Sequence, residues 1–590
     1  MCGICGEFRF DGQFPKSERI DKMLHQLRPR GPDDEGHYAF GPVALGHRRL
    51  SIIDLSHKSH QPMVDISTGL SIVFNGTIYN YPELREQLIG LGHHFNSQGD
   101  TEVILKAYAQ WGEFCVERFN GMFAFAIWNQ RDETLFAARD RMGIKPFYFS
   151  QTQQRFLFAS NTQALLATGN VDTGLDSAAL HNMYSLHAVV PAPRTILKGV
   201  RKLAPAHCIT INRLGQVQQR RYWSLSARRP AEQYDAVEWR EKIHQALKKS
   251  VQRRLEIADV PVGVLLSGGL DSSLLVALLA EQGVTDLRTF TIGFEDQPEE
   301  RGSEFEFSDP VAELYQTQHH KFVIENSEVL KRMPEAVDAM AEPMFAQDAV
   351  AFYLLSEQVS KEVKVVQSGQ GADEVFGGYF WYEKMQQATG TPLERFAPFY
   401  FDREHSEYEE MVQPAYQVGD VTSELIGDLL RDVDADQHID AVLALDTTTL
   451  IVDDPVKRVD NMTMAWGLEA RVPFLDHELV EVAASMPPEH KLSQGGKGVL
   501  KDLSRELLPA AVIDRPKGYF PMPALKYVRG EFLEFITDVL GSQKAKERGI
   551  FQPAYVEKLM RDPNNYHTRI QGNKLWHLAL LEYWLQRHGV

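Results

Sequence analysis

Short apolar and polar alternations, broken by Gly, Pro and Asn, run through the first 210 or so residues at 43–53, 70–75, 122–128, 134–139, 147–150 and 155–159. A period of two between turn residues predicts antiparallel sheets. Helical periods interrupt them at 81–91 and 101–112, so this region reads as stacked antiparallel sheets with helices, an α+β unit, rather than a simple barrel. Beyond about residue 237 the pattern changes. Largely apolar strands at 260–266, 287–294 and 363–367 alternate with long helical stretches, which predicts an α/β domain around a buried parallel sheet. The stretch 222–237 is polar and keeps neither period, so the chain divides into domains at 1–210 and 238–530, a linker at 211–237 and a C-terminal helical extension at 531–590.

Composition narrows the function classes. With 62 Lys+Arg against 80 Asp+Glu, the 590-residue chain carries a net charge of −18, and 43% of it is hydrophobic. That is the balance of a globular enzyme large enough for proper cores. No Lys/Arg run offers a footprint for nucleic acid or an anionic membrane, so neither is expected as a partner. The cysteines, Cys2, Cys5, Cys115 and Cys208, are too few for a disulfide framework, and Cys2-x-x-Cys5 lacks a second pair to complete a zinc site. No signal-like segment or run of 18 apolar residues occurs. A cytoplasmic location is the expectation.

Candidate chemistry begins at Cys2. Removal of an initiator Met before a small residue would leave Cys2 with a free α-amine beside its thiol. An amine with a pKa of roughly 7.7 to 8.0 can take the thiol proton and return it to a leaving ammonia. Downstream stand Arg30-Gly31-Pro32-Asp33, His47-Arg48-Arg49-Leu50-Ser51-Ile52-Ile53-Asp54, Phe74-Asn75-Gly76-Thr77, Gly99-Asp100-Thr101-Glu102 and Arg139-Asp140-Arg141-Met142-Gly143-Ile144-Lys145-Pro146. In this order they resemble the glutaminase domain of class II, N-terminal-nucleophile glutamine amidotransferases. The resemblance implies Cys2 as nucleophile, Arg49 as clamp on glutamine's α-carboxylate, Asp100 as partner of its α-ammonium, and Asn75 with the Gly76 N–H as oxyanion hole. Leu50, Ser51, Ile52, Ile53 and Thr77 complete the implied glutamine site. Asparagine synthetases usually read Asn-Gly-Glu where this chain has Thr77, so a hydroxyl replaces a carboxylate and binding is expected to lean on Asp100.

A second motif, Leu266-Ser267-Gly268-Gly269-Leu270-Asp271-Ser272, follows an apolar strand and opens a helix. A Gly-rich turn at a helix N-terminus makes an anion cradle. It resembles the Ser-Gly-Gly-x-Asp-Ser loop of ATP pyrophosphatases, which activate a carboxylate as its acyl-adenylate. Ser368-Gly369-Gln370-Gly371-Ala372-Asp373-Glu374 resembles the second nucleotide loop of the asparagine synthetase superfamily. The resemblance implies Mg²⁺ on Asp271 and Asp373, adenine against Leu266 and Ile292, and nucleotide contacts from Ser267, Gly268, Gly269, Ser272, Ser368 and Gly369. It also implies Lys501 as the lysine that stabilises charge on the adenylated carboxylate. The stretches 459–464 and 467–476 match the superfamily's acceptor-side signature.

ATP, glutamine and a carboxylate acceptor are thus the expected small-molecule partners, and a homodimer stays open. Gln370 bears on the acceptor. Asparagine synthetases carry Glu there, and an amide removes its charge and acid/base capacity. The stretches 186–194, 366–374, 453–466 and 514–521 resemble the subgroup of N-acetylglutaminylglutamine amidotransferases, which implies amidation of the C-terminal carboxylate of an acetylated glutamine dipeptide to give a compatible solute. Aspartate amidation is the alternative. Cys2 argues against a cyclase of the superfamily. A non-catalytic nucleotide- or glutamine-binding regulator, suggested by Thr77 and Gln370, is the non-enzyme alternative.

Overall fold

A computed structural model describes residues 2–296, 302–346, 348–515 and 527–590. Among them, the N-terminal domain stacks two six-stranded antiparallel sheets. Across the first the strands run Arg201–Lys202, Tyr148–Gln151, Arg155–Ala159, Gly3–Arg9, Val43–Arg49 and Asp34–Phe40. Across the second they run Val217–Arg221, His207–Ile211, Thr134–Arg139, Gly121–Asn129, Leu70–Ile78 and Met63–Asp65.

Alternation assigns the faces. In Gly121–Asn129, Ala124, Ala126 and Trp128 meet Ile4, Phe8 and Phe158 of the first sheet between the layers. Phe123, Phe125 and Ile127 point the other way, onto the helices Tyr81–Gly90 and Asp100–Trp111. The helix Ser17–Leu27 covers the outer face of the first sheet through Ile20, Met23, Leu24 and Leu27. Four layers result, helix–sheet–sheet–helix, with Cys2 leading into a central strand of the first sheet. The strand Val217–Arg221, inside the stretch read as linker, forms the edge of the second sheet by pairing with His207–Ile211.

The second domain holds a five-stranded, wholly parallel sheet in the order Gln318–Ile324, Arg288–Phe294, Val262–Leu265, Val365–Gln367, Glu469–Arg471. The helix Leu270–Glu281 is buried along nearly its whole length, as the apolar run 274–280 on all its faces requires. The direction of winding reverses between the neighbouring strands Val262–Leu265 and Val365–Gln367. Their carboxyl ends therefore open a crevice, the place where such sheets bind ligands. The C-terminal helix Lys574–His588 is part of this domain's core: Trp576 and Trp584 donate their indole N–H groups to Phe345 O at 3.2 Å and Met340 O at 2.8 Å.

Buried charges tie the domains together. Asp460 accepts from Arg30 Nη1 at 2.9 Å and Lys145 Nζ at 3.2 Å, while Lys202 Nζ reaches Glu342 at 2.9 Å and Asp453 at 2.6 Å. All these side chains are nearly inaccessible to solvent.

Candidate active site

Two cavities collect the expected residues. The smaller, about 30 Å³, is lined by Cys2, Arg49, Leu50, Ile52, Ile53, Gly76, Thr77 and Asp100 together with Glu469 of the second domain. Ser51 and Asn75 are not on its wall; the Ser51 backbone N–H is held by Asp33 Oδ2 at 2.8 Å. Cys2 N donates to Asn75 Oδ1 at 3.0 Å. A backbone N–H can only donate, so this contact fixes the amide orientation and leaves the buried Asn75 Nδ2 as a donor without a protein partner. That is what an oxyanion hole needs. Gly76 is required by close approach: a Cβ there would lie 2.2 Å from the Met122 carbonyl oxygen.

Arg49 is braced by backbone carbonyls. Nη1 donates to Ser56 O at 3.0 Å and Nη2 to Ile53 O at 3.3 Å and to Asp54 O. The Asp54 carboxylate shapes that loop by accepting from Ser56 Oγ at 2.6 Å, Ser59 Oγ at 2.8 Å and the Gln98 N–H at 2.7 Å. Burial pushes the Cys2 thiol up from its ordinary value, against a Leu50 backbone hydrogen bond and the Arg49 charge, so the resting sulfur is protonated and needs a base. Asp100 opens its helix and accepts the Ile78 N–H at 3.0 Å; burial pushes its carboxyl up to about 6.

Two of the remaining motifs serve as scaffold. Arg30 donates to Cys2 O at 3.2 Å as well as to Asp460, and Gly31 is needed where a Cβ would lie 2.3 Å from the Arg48 carbonyl carbon. Asp140 accepts four backbone N–H groups, from Phe123, Met142, Ile144 and Lys145, which folds the turn that delivers Lys145 to Asp460.

The larger cavity, about 740 Å³, opens at the crevice of the parallel sheet. Its lining includes Leu266, Ser267, Gly269, Asp271, Ser272, Ile292, Ser368, Gly369, Gln370, Asp373 and Lys501. Gly268 is not on the wall; at φ +74 it turns the loop where a Cβ would lie 2.5 Å from Ser308 N. Ser267 N donates to Ser272 Oγ at 3.2 Å, pinning the loop to the helix N-terminus. The sequence reading missed Lys497. Its ammonium lies 2.6 Å from Asp271 Oδ2 and 2.7 Å from Asp373 Oδ1. Burial opposes the charge, but the two carboxylates hold the lysine well above its usual range. Two loops thus focus a pair of carboxylates on one cationic point, a donor set that suits a hard divalent cation. Lys501 sits at the rim with Nζ donating to Gln494 O at 2.5 Å.

The lining also includes the aromatic residues Tyr379, Phe380, Trp381 and Tyr400 and the charged or titratable residues His187, Asp348, Asp446, Asp454 and Arg458. Tyr379 stacks on Trp381 with ring centroids 4.3 Å apart. Asp446 and Asp454 lie on two successive π-helical turns, Asp446–Leu450 and Val452–Val456, that contribute to the cavity lining. The stretch 459–476, matched to the acceptor side, instead turns Asp460 and Glu469 toward the N-terminal domain. Of the stretch 514–521, Arg515 lines the cavity, and 516–521 lie outside the described residues.

A glutamine-hydrolysing unit docked on an ATP-dependent carbon–nitrogen ligase is the class these two sites define. The glutamine amidotransferase domain family matches residues 1–223 and the asparagine synthase family residues 242–586. Asparagine synthetase [glutamine-hydrolyzing] 3 of Bacillus subtilis is 31% identical over 88% of this chain and 87% of its own. Asparagine synthetase [glutamine-hydrolyzing] 1 of the same organism is 31% identical over 99% and 96%. A putative asparagine synthetase of Methanocaldococcus jannaschii is 36% identical over 64% and 76%. The chain belongs to the asparagine synthetase family of glutamine-hydrolysing ligases, which form AMP and pyrophosphate. Its four cysteines are free and buried, and among the described residues no helix is long and apolar enough to cross a membrane.

Proposed function

We propose that the chain amidates the C-terminal carboxylate of N-acetylglutaminylglutamine. With Met1 removed, the Cys2 amine takes the thiol proton and sulfur attacks the glutamine amide carbon. The oxyanion falls to Asn75 Nδ2 and the Gly76 N–H while Arg49 holds the α-carboxylate. The amine returns its proton to the departing ammonia, and water releases glutamate. In the larger cavity the acceptor carboxylate attacks the α-phosphorus of ATP, pyrophosphate leaves, and ammonia displaces AMP from the acyl-adenylate. Mg²⁺ bound by Asp271 and Asp373 would neutralise charge on the pyrophosphate. Lys501 stabilises the activated carboxylate.

The observation that carries the acceptor reading is how the cavity's cations are spent. Arg458 is paired with Asp348 at 3.2 Å and Asp454 at 2.5 Å, Lys497 with Asp271 and Asp373, His187 with Asp402 at 2.9 Å, and Arg515 with Glu304. Among the described lining residues, that leaves Lys501 for the carboxylate being activated. Aspartate would bring a second carboxylate, whereas the acetylated dipeptide brings only one, with neutral amides for the aromatic lining. Aspartate amidation is the second reading, favoured by the names of the relatives.

Mass spectrometry of products from ATP, Mg²⁺, glutamine and either acceptor decides between them. Dipeptide amide is expected, and asparagine without dipeptide amide would overturn the reading. Gln370→Glu should lower kcat/KM for the dipeptide by roughly tenfold, because a carboxylate there repels the acceptor, without creating an efficient aspartate enzyme.

Asp100 gives a pH signature. Its carboxyl titrates near 6, so it loses its charge below that pH. A Cys2→Ala variant, which binds glutamine without turnover, should lose affinity for it as pH falls through about 6, and Asp100→Asn should abolish that dependence. Calorimetric titration of glutamine across the range checks both.

A further inference from the structure

Glu469 belongs to the synthetase sheet, at the start of its edge strand Glu469–Arg471, yet its carboxylate lines the Cys2 cavity of the other domain. It is fully buried, and Oε1 lies 3.5 Å from the hydroxyl of Thr77. Arg471, two residues on and on the same face of the strand, fixes its direction through Nε at 2.5 Å and is itself anchored by donating to Arg254 O at 2.8 Å. Although burial pushes the carboxyl up, the Arg471 charge, helped by Lys145, holds it at about 2. A permanent negative charge therefore sits in a pocket whose other wall presents the Arg49 guanidinium. Asp100, the other carboxylate there, titrates near 6.

An α-amino acid offers one anion and one cation, and each needs a counter-charge once desolvated. The cavity holds both signs: Arg49 for the carboxylate, Glu469 and Asp100 for the ammonium. We propose that Glu469, a residue of the ATP-using domain, is a direct partner of glutamine's α-ammonium beside Asp100, so that the ammonium site is complete only while the two domains are docked. This rests on the reading of the Cys2 cavity as the glutamine site. It assigns to the second domain the anionic contact that the hydroxyl of Thr77 cannot make.

The test compares kcat/KM for hydrolysis of glutamine with that for glutaramate, which is glutamine without its α-amine. In Glu469→Gln the ratio should fall about ten- to a hundredfold, the size of a lost charge-assisted hydrogen bond. Glu469→Asp keeps a charge for Arg471 but withdraws it by one methylene, so the ratio should fall in this variant too. This second variant carries the test should the amide, which leaves Arg471 unpaired in the interior, prevent folding. An unchanged ratio in Glu469→Asp, or equal losses for both substrates, overturns the assignment. Absence of Cys2-dependent glutaminase activity in the wild type would remove the glutamine-site reading itself, whereas glutaminase activity with an unchanged ratio removes only the role of Glu469.

Discussion

Cys2→Ala is expected to abolish glutamine hydrolysis, by on the order of 10⁴-fold or more, the usual cost of deleting a nucleophile from an acyl-transfer site. Synthesis from added ammonium should persist in the same variant. The split follows from the architecture: Cys2, Arg49 and Asp100 line one cavity on the antiparallel sheets, with Asn75 buried against Cys2, while the residues expected to handle ATP line another on the parallel sheet. Ammonia release from glutamine and AMP formation with ammonium as nitrogen donor, measured side by side, give the result. Wild-type glutamine hydrolysis by Cys2→Ala would end the N-terminal-nucleophile assignment.

Asp271→Asn and Asp373→Asn act on the other half. Each removes one of two carboxylates that converge on Lys497. Losing one should lower ATP-dependent product formation on the order of 10²- to 10³-fold, because charge on the leaving pyrophosphate goes unneutralised in a water-poor cleft. The dependence on Mg²⁺ concentration should move to higher values, while glutamine hydrolysis stays measurable. Pyrophosphate release against Mg²⁺ concentration checks this, and unaltered ATP turnover in both variants would remove the two aspartates from the metal role.

Local order made much of this legible. The glutaminase motifs stand in a fixed order along the chain, so the resemblance they carry named Asn75 and Asp100 before the sheets that join them were known. The two nucleotide loops follow apolar strands, and neighbouring strands at a switch point bring their ends together. Lys497 escaped because Gly495-Gly496-Lys497-Gly498 keeps no period, and its left-handed backbone at φ 58 leaves no trace in a pattern of apolar positions. Attention fell instead on Lys501, one helical turn later. Glu469 was not singled out, for another reason. A strand at a sheet edge can serve its own domain or the neighbour covering it, and the choice depends on docking, which no periodicity encodes. The ion pairs of Arg458 join residues more than 100 positions apart in the case of Asp348, beyond the reach of any local pattern.

The buried cations of the N-terminal domain bear on how portable that half is. Arg30, Lys145 and Lys202 each cross to an acid on the other half, Asp460, Glu342 or Asp453, and none is open to solvent. Grafted onto a foreign synthetase without those acids, the glutaminase half would seat three unmatched positive charges against a dry surface, a penalty of several kcal/mol for each ion left unpaired. Exchange between family members is therefore restricted to matched sets. A chimera would have to carry the acids of the second half along with the basic residues of the first, and the seam is inherited as a lock with its key.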